Sequence, residues 1–167
     1  MDFLAPYHPL IVHTPVALII VSVLFEIAGL ATDSAWMRKT SNALLVLGVL
    51  GGIVAILSGE PASEIAEKRQ GIPESRIDWH GDAGKIATWL GGGAIVARVA
   101  AATIPGGRAA IAVVAFLLQL CSAMAVGVAG YRGGQLVFTH GAGVHVDGAL
   151  VRSAHAEAES EPDSSAH

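Results

Sequence analysis

Residues 10–31 read LIVHTPVALIIVSVLFEIAGLA. Only His13 and Glu26 interrupt this apolar run. The hydrocarbon core of a bilayer takes about 17–25 helical residues, so the stretch is long enough to cross it. Backbone groups in lipid must bond within their own segment, which makes the crossing helical. Three further stretches follow. One spans 41–58, with Ser41 and Asn42 completing its length. One spans 83–104, with Lys85 at its edge and Arg98 inside. One spans 108–130, with Gln119 as its strongest polar group. The expected fold is all-α: an integral membrane four-helix bundle over residues 1–152, with one extramembrane loop and a disordered tail at 153–167.

Composition agrees. The 167 residues are 53% hydrophobic and 14% charged, against about a quarter charged in soluble domains. The charge is missing in blocks, as in membrane chains. The formal net charge of -4 comes largely from the loop and tail, and no basic patch invites nucleic acid. Cys121 is the only cysteine, so an internal disulfide is excluded; within its apolar run it reads as a small core residue. Residues 1–35 contain no Lys or Arg, and the apolar run exceeds a signal-peptide h-region. The first stretch therefore reads as a retained helix.

Short turns are expected at 32–40 and 105–108, and a longer polar loop at 60–82. Within that loop, 61–70 has helix-forming composition suited to the membrane surface, and 72–76 reads as irregular. Residues 131–146 are glycine-rich and unlike lipid-facing helix. Small residues crowd the third and fourth stretches (Gly91, Gly92, Gly93, Ala97, Ala100 and Ala101; Ala112, Ala115, Ala123, Gly127 and Gly130) and predict a close helical hairpin. The tail at 153–167 has too little apolar surface to offset its ordering entropy.

Four crossings place both termini and the 60–82 segment on one side. Seven histidines are present. The topology sends His8, His13, His80, His140 and His145 to that same rim, and leaves His155 and His167 in the tail. Imidazole suits transition metals and haem iron. Glu60 and Glu64, one helical turn apart, could join a metal site. The same histidines would also serve as plain helix caps. Glu26 and Arg98 fall at similar depths in the first and third helices, and intramembrane charges usually pair, so an ion pair between them is expected. The first helix carries no flanking positive charge on its N-terminal side and is followed by Arg38 and Lys39, which favours periplasmic termini; Lys68, Arg69, Arg76, Lys85 and Arg132 on the loop side, against Arg38, Lys39 and Arg108 on the other, point the opposite way. His8 opens the first hairpin and His80 the second, a faint internal echo that suits a two-fold along the membrane normal.

The run His8-Pro9-Leu10-Ile11-Val12-His13-Thr14-Pro15-Val16-Ala17-Leu18 resembles the HPxxVHFPIAL signature of a bacterial membrane-protein family, domain of unknown function 2231. Thr14 and Val16 are its mild departures. Ser58-Gly59-Glu60, His80 and the segment Gly133 to Gly141 look like that family's other blocks, so the resemblance covers about residues 5–145. It implies a four-helix protein of the bacterial inner membrane. Relatives fused to Rieske iron–sulfur or c-type cytochrome modules imply an electron-transfer partner, and the match carries over His8, His13, His80 and His140.

The resulting expectation is a non-enzymatic redox component. It would bind b-type haem, or alternatively a transition metal, through His13, His80, His140 and His8, with Glu60 and Glu64 added in the metal case. The rival is a cofactor-free structural or assembly subunit. A small transporter would have only Glu26, Arg98 and Gln119 along its path. An enzyme is least supported, because no nucleophile–base pair or phosphate loop is present.

Overall fold

A computed structural model describes residues 2–104 and 106–151. The expected disordered tail, with His155 and His167, lies outside these residues, as does Pro105 of the second turn. A 3₁₀ segment Asp2–Tyr7 leads into α1 (His8–Ile11) and α2 (His13–Ala31). Three long helices follow: α3 (Ala35–Gln70), α4 (Glu74–Thr103) and α5 (Arg108–His140). Among the described residues, four helices are long and apolar enough to cross a membrane. The hairpins α2–α3 and α4–α5 are the most extensively packed pairs, and α3–α4 and α2–α5 contacts close the ring.

The distribution of side chains is that of a protein solvated by lipid. Ser22, Ser41, Ser58, Gln119 and Ser122 are fully buried, whereas Leu24, Leu50, Val99, Val113 and Leu117 are exposed on the outside. In water such an apolar surface would drive association. Small residues set the helix spacing. A Cβ on Gly52 would stand 2.6 Å from Thr88 Oγ1, and one on Gly91 would stand 2.7 Å from Val49 Cγ2. Burial follows one stripe per helix: Ala83, Ala87, Gly91, Ala94 and Ala101 on α4, and Ala115, Gln119, Ser122, Val126 and Ala129 on α5. Ala112, Gly127 and Gly130 fall off that stripe and face outward. Cys121 is also exposed, which corrects its reading as a core residue: its neighbour Ser122 takes the inward position.

The helices overrun the expected limits. α3 begins at Ala35, capped by Ser34, whose Oγ accepts from the Met37 amide at 3.4 Å. It then continues through Pro61 to Gln70. At about 1.5 Å per residue it is far longer than the ~30 Å hydrocarbon core. The 60–82 segment is thus helical except at 71–73, and α5 runs through Gly133 and Gly134 to His140. The projecting ends of α3, α4 and α5 form a cap with its own small core of Ile72, Ile77 and Leu136. Gly71 and Gly141, both left-handed, end α3 and α5 alike. The Gly71 and Gly141 amides reach the Glu67 and Val137 carbonyls at 3.0 Å each. Gln70, fully buried, clasps the chain after α5: its Nε2 donates to the Gly141 and Val151 carbonyls at 2.8 Å each, and its Oε1 accepts from the Gly143 amide at 3.0 Å. Beyond the all-α body, His145–Val146 pairs with Ala149–Leu150 in a small hairpin. Asp147 and Gly148, both at positive φ, make its turn.

Candidate functional site

At the rim, His8 from α1 and His80 from α4 meet with ring centroids 6.2 Å apart and planes at 81°. Each ring is held by one nitrogen. His80 Nδ1 lies 2.9 Å from the Ala129 carbonyl of α5. A carbonyl only accepts, so Nδ1 carries the proton. His8 Nδ1 lies 2.9 Å from Ser58 Oγ, and that hydroxyl donates its single proton to the Ala55 carbonyl at 3.1 Å. With that proton directed at the Ala55 carbonyl, Ser58 accepts from His8 Nδ1–H. In these tautomers each ring has its lone pair on Nε2, the form in which imidazole binds metals, with the other nitrogen orienting the ring. Each ring also lies on a glycine: a Cβ would come within 3.2 Å of His8 Cε1 at Gly59 and 2.9 Å of His80 Cε1 at Gly133.

The other expected ligands do not join this pair. His13 is exposed and its Nδ1 returns to the Pro9 carbonyl at 2.6 Å, so it caps its own opening turn. His140 sits seven residues beyond Gly133 on α5, about 10 Å farther along the axis, and lines a separate cavity with Arg76 and Arg132. Glu60 is exposed, and Glu64 pairs with Lys68 at 2.6 Å on the surface of α3. His145 bonds the Gly143 carbonyl at 3.1 Å. Among the described residues, no group of three or more His, Cys, Asp or Glu is placed to hold a metal.

Deeper in the bundle, toward the 32–34 turn, a second polar cluster ties all four helices together. Arg98 Nη1 donates to Glu26 Oε2 at 3.0 Å and to Asn42 Oδ1, and its Nη2 donates to Gln119 Oε1. Gln119 Nε2 donates to Ser22 Oγ at 2.8 Å and Ser41 Oγ at 3.2 Å. Those hydroxyls donate in turn to the Ile19 and Ser22 carbonyls at 2.7 and 2.8 Å. Every bond runs one way, away from the guanidinium. Arginine does not deprotonate in proteins, so the chain holds helices rather than relaying protons.

The sequence profile of a family described as a predicted membrane protein, DUF2231, matches residues 4–146. The chain belongs to that family. No curated protein and no solved structure matches it. In this DUF2231 chain the opening run His8 to Pro15 forms a hook: Pro9 receives His13, and Pro15 is buried beside Gly51. Sequence reasoning missed Ser58 and Ala129 as the partners that fix the two imidazoles. It also missed Ser22, Ser41 and Asn42 in the deep cluster. For Ser58 the signal was its place in the Ser58-Gly59-Glu60 block, and for Ser22 and Ser41 it was a serine at helical spacing from other inward positions.

Proposed function

We propose that this DUF2231 protein is a non-enzymatic membrane redox component. In this reading His8 and His80 hold a transition-metal centre, either the iron of a b-type haem or a bare ion, at one face of the bilayer. The supporting observation is the pair of imidazoles, each pinned through Nδ1 and carrying its lone pair on Nε2. In the haem case His8 and His80 would be the residues that hold the iron, which would supply the electron chemistry. A bare ion would need further ligands from water or a partner chain. His8 and His80 line neither of the described cavities of about 320 and 240 Å³, so neither cavity is a preformed haem slot at this pair. When bound, the centre would carry electrons one at a time, and the chain's own residues would hold and orient it.

The test is an absorption spectrum and metal analysis of the detergent-purified protein and its variants. His8→Ala and His80→Ala should each abolish bound haem or metal while the protein still inserts, and His13→Ala should retain it. A Soret band that dithionite reduces identifies haem. Stoichiometric Fe or Cu without that band identifies a bare ion, and stoichiometric Zn, which carries no electrons, would remove the redox role. Retention in both His8→Ala and His80→Ala removes the proposal.

A second reading, a cofactor-free structural or assembly subunit, is favoured by the way His13 and His145 cap nearby carbonyls. Absence of any haem or metal from the native protein would select it.

We place the histidine rim on the periplasmic side of a bacterial inner membrane, because residues 1–35 lack Lys and Arg while Arg38 and Lys39 follow the first span. A Rieske or c-type cytochrome partner would then approach over the projecting ends of α3, α4 and α5. Impermeant maleimide should label a cysteine placed at Ser75 in intact cells, in a Cys121→Ser background. Protection at Ser75 with labelling at Ser34 would reverse the orientation.

A further inference from the structure

Beside the histidine pair, α4 and α5 enclose a cavity of about 320 Å³ lined by Arg76, Trp79, Tyr131, Arg132, Gln135 and His140. Both guanidiniums gather on one indole, with carbons 5.6 and 5.7 Å from the Trp79 centroid. Arg132 Nη1 also donates to the Trp79 carbonyl at 2.8 Å. Among the described residues neither arginine has a carboxylate partner. Asp82 pairs instead with Lys85 at 3.5 Å, and Asp78 and Glu74 do not line the cavity. Both guanidiniums line the cavity without a carboxylate partner, so an anion held there is attracted by each of them. Gln135 and His140 add donors that suit phosphate oxygens.

We infer that this cavity binds the phosphodiester headgroup of an anionic phospholipid. Its level in the bundle selects a lipid over a soluble phosphate. Tyr131 directly follows the apolar run of α5, and Trp79 precedes Ala83, the start of the apolar run of α4, by one turn. Exposed Trp and Tyr mark the headgroup region of a bilayer, and basic pockets between helices at that level suit acidic headgroups. Below Tyr131, at successive helical turns toward the membrane interior, lie the exposed apolar side chains of Val128 and Met124. An acyl chain runs along that stripe while the headgroup stays with the arginines. The site uses neither His8 nor His80 and stands apart from the metal proposal.

Native mass spectrometry of the full chain in neutral detergent, titrated with dioleoylphosphatidylglycerol or dioleoylphosphatidylcholine, tests the site. The anionic lipid should bind about tenfold more tightly. Arg76→Gln should cut that preference about fivefold, the value of one interfacial cation at about a kcal/mol. Arg76→Gln and Arg132→Gln together should remove it, and Arg132→Lys should keep most of it. The Arg76 guanidinium is exposed and has no hydrogen bond within the described residues, so the single variant reads binding without loss of fold. Glycerol phosphate added at the same concentration should not displace the lipid. Equal binding of the two lipids, or an unchanged preference in the double variant, overturns the inference. Displacement by glycerol phosphate overturns it in favour of a soluble phosphate ligand.

Discussion

The two ends of the bundle carry polar pairs in matching register. Eighteen residues separate His8 from Glu26, and eighteen separate His80 from Arg98. The His8–His80 pair and the Glu26–Arg98 pair thus occupy equivalent levels of the two hairpins, roughly 27 Å apart along the helices. Their chemistry differs. At the deep end, Glu26, Arg98, Asn42, Gln119, Ser22 and Ser41 bond one another, and the chain of donors ends on backbone carbonyls; the buried Arg98 Nε alone is left without a partner among the described residues. At the rim, each imidazole uses one nitrogen on the protein and presents the other. A network that joins four helices around a fixed cation rigidifies the fold, whereas an imidazole with a nitrogen to spare has capacity for a ligand. The comparison also speaks against a transport path. Glu26, Arg98 and Gln119, the only residues that suggested one, are bonded to each other around a guanidinium that holds its protons.

The sharpest way to break this contrast is Arg98→Gln. It strands a buried carboxylate and should cost about 3–5 kcal/mol of folding free energy, read from SDS-induced unfolding in mixed micelles. Adding Glu26→Gln should recover part of the loss. Strictly additive effects would mean that the deep end is not a coupled unit. Gln119→Leu should cost about 1–2 kcal/mol by leaving Arg98 and two serines short of a partner, with no change in metal or haem content. A loss of cofactor there would show that the two ends communicate.

Gly133→Ala works at the other end. Its Cβ would meet the His80 ring at 2.9 Å, so the ring must turn. Stability should fall by about 1 kcal/mol, while cofactor content should drop severalfold. Gly59→Ala, with 3.2 Å to the His8 ring, should follow more mildly. Unaltered cofactor in both variants would show that ring placement is not what the glycines protect. The smallest effect is expected for His13→Ala. It removes one exposed turn-capping bond, should cost no more than about 1 kcal/mol, and should leave the cofactor bound.

Much of this molecule is legible in one dimension because lipid imposes a simple rule. Uninterrupted apolar length reports a crossing, and four crossings put five histidines on one face whatever the packing. The level of Glu26 and Arg98 follows from counting residues from the helix ends, and the cost of a lone charge in hydrocarbon makes their meeting foreseeable. Length alone did not report where the helices stop. Residues 60–70 and 131–140 lose their lipid-facing character but stay helical. Their backbone bonds persist in water, and their ends are set by the left-handed glycines Gly71 and Gly141. Only the tertiary structure decided which histidines meet. His8 and His13 are five residues apart and diverge around the helix, and His140 overshoots the rim along α5, so the choice of His80 as partner for His8 rests on how the hairpins pack. The same holds for Ser58, Ala129, Ser22 and Ser41. These are ordinary residues in the sequence, and they become the oxygen atoms that fix the rings and close the network only because neighbouring helices bring them within bonding distance.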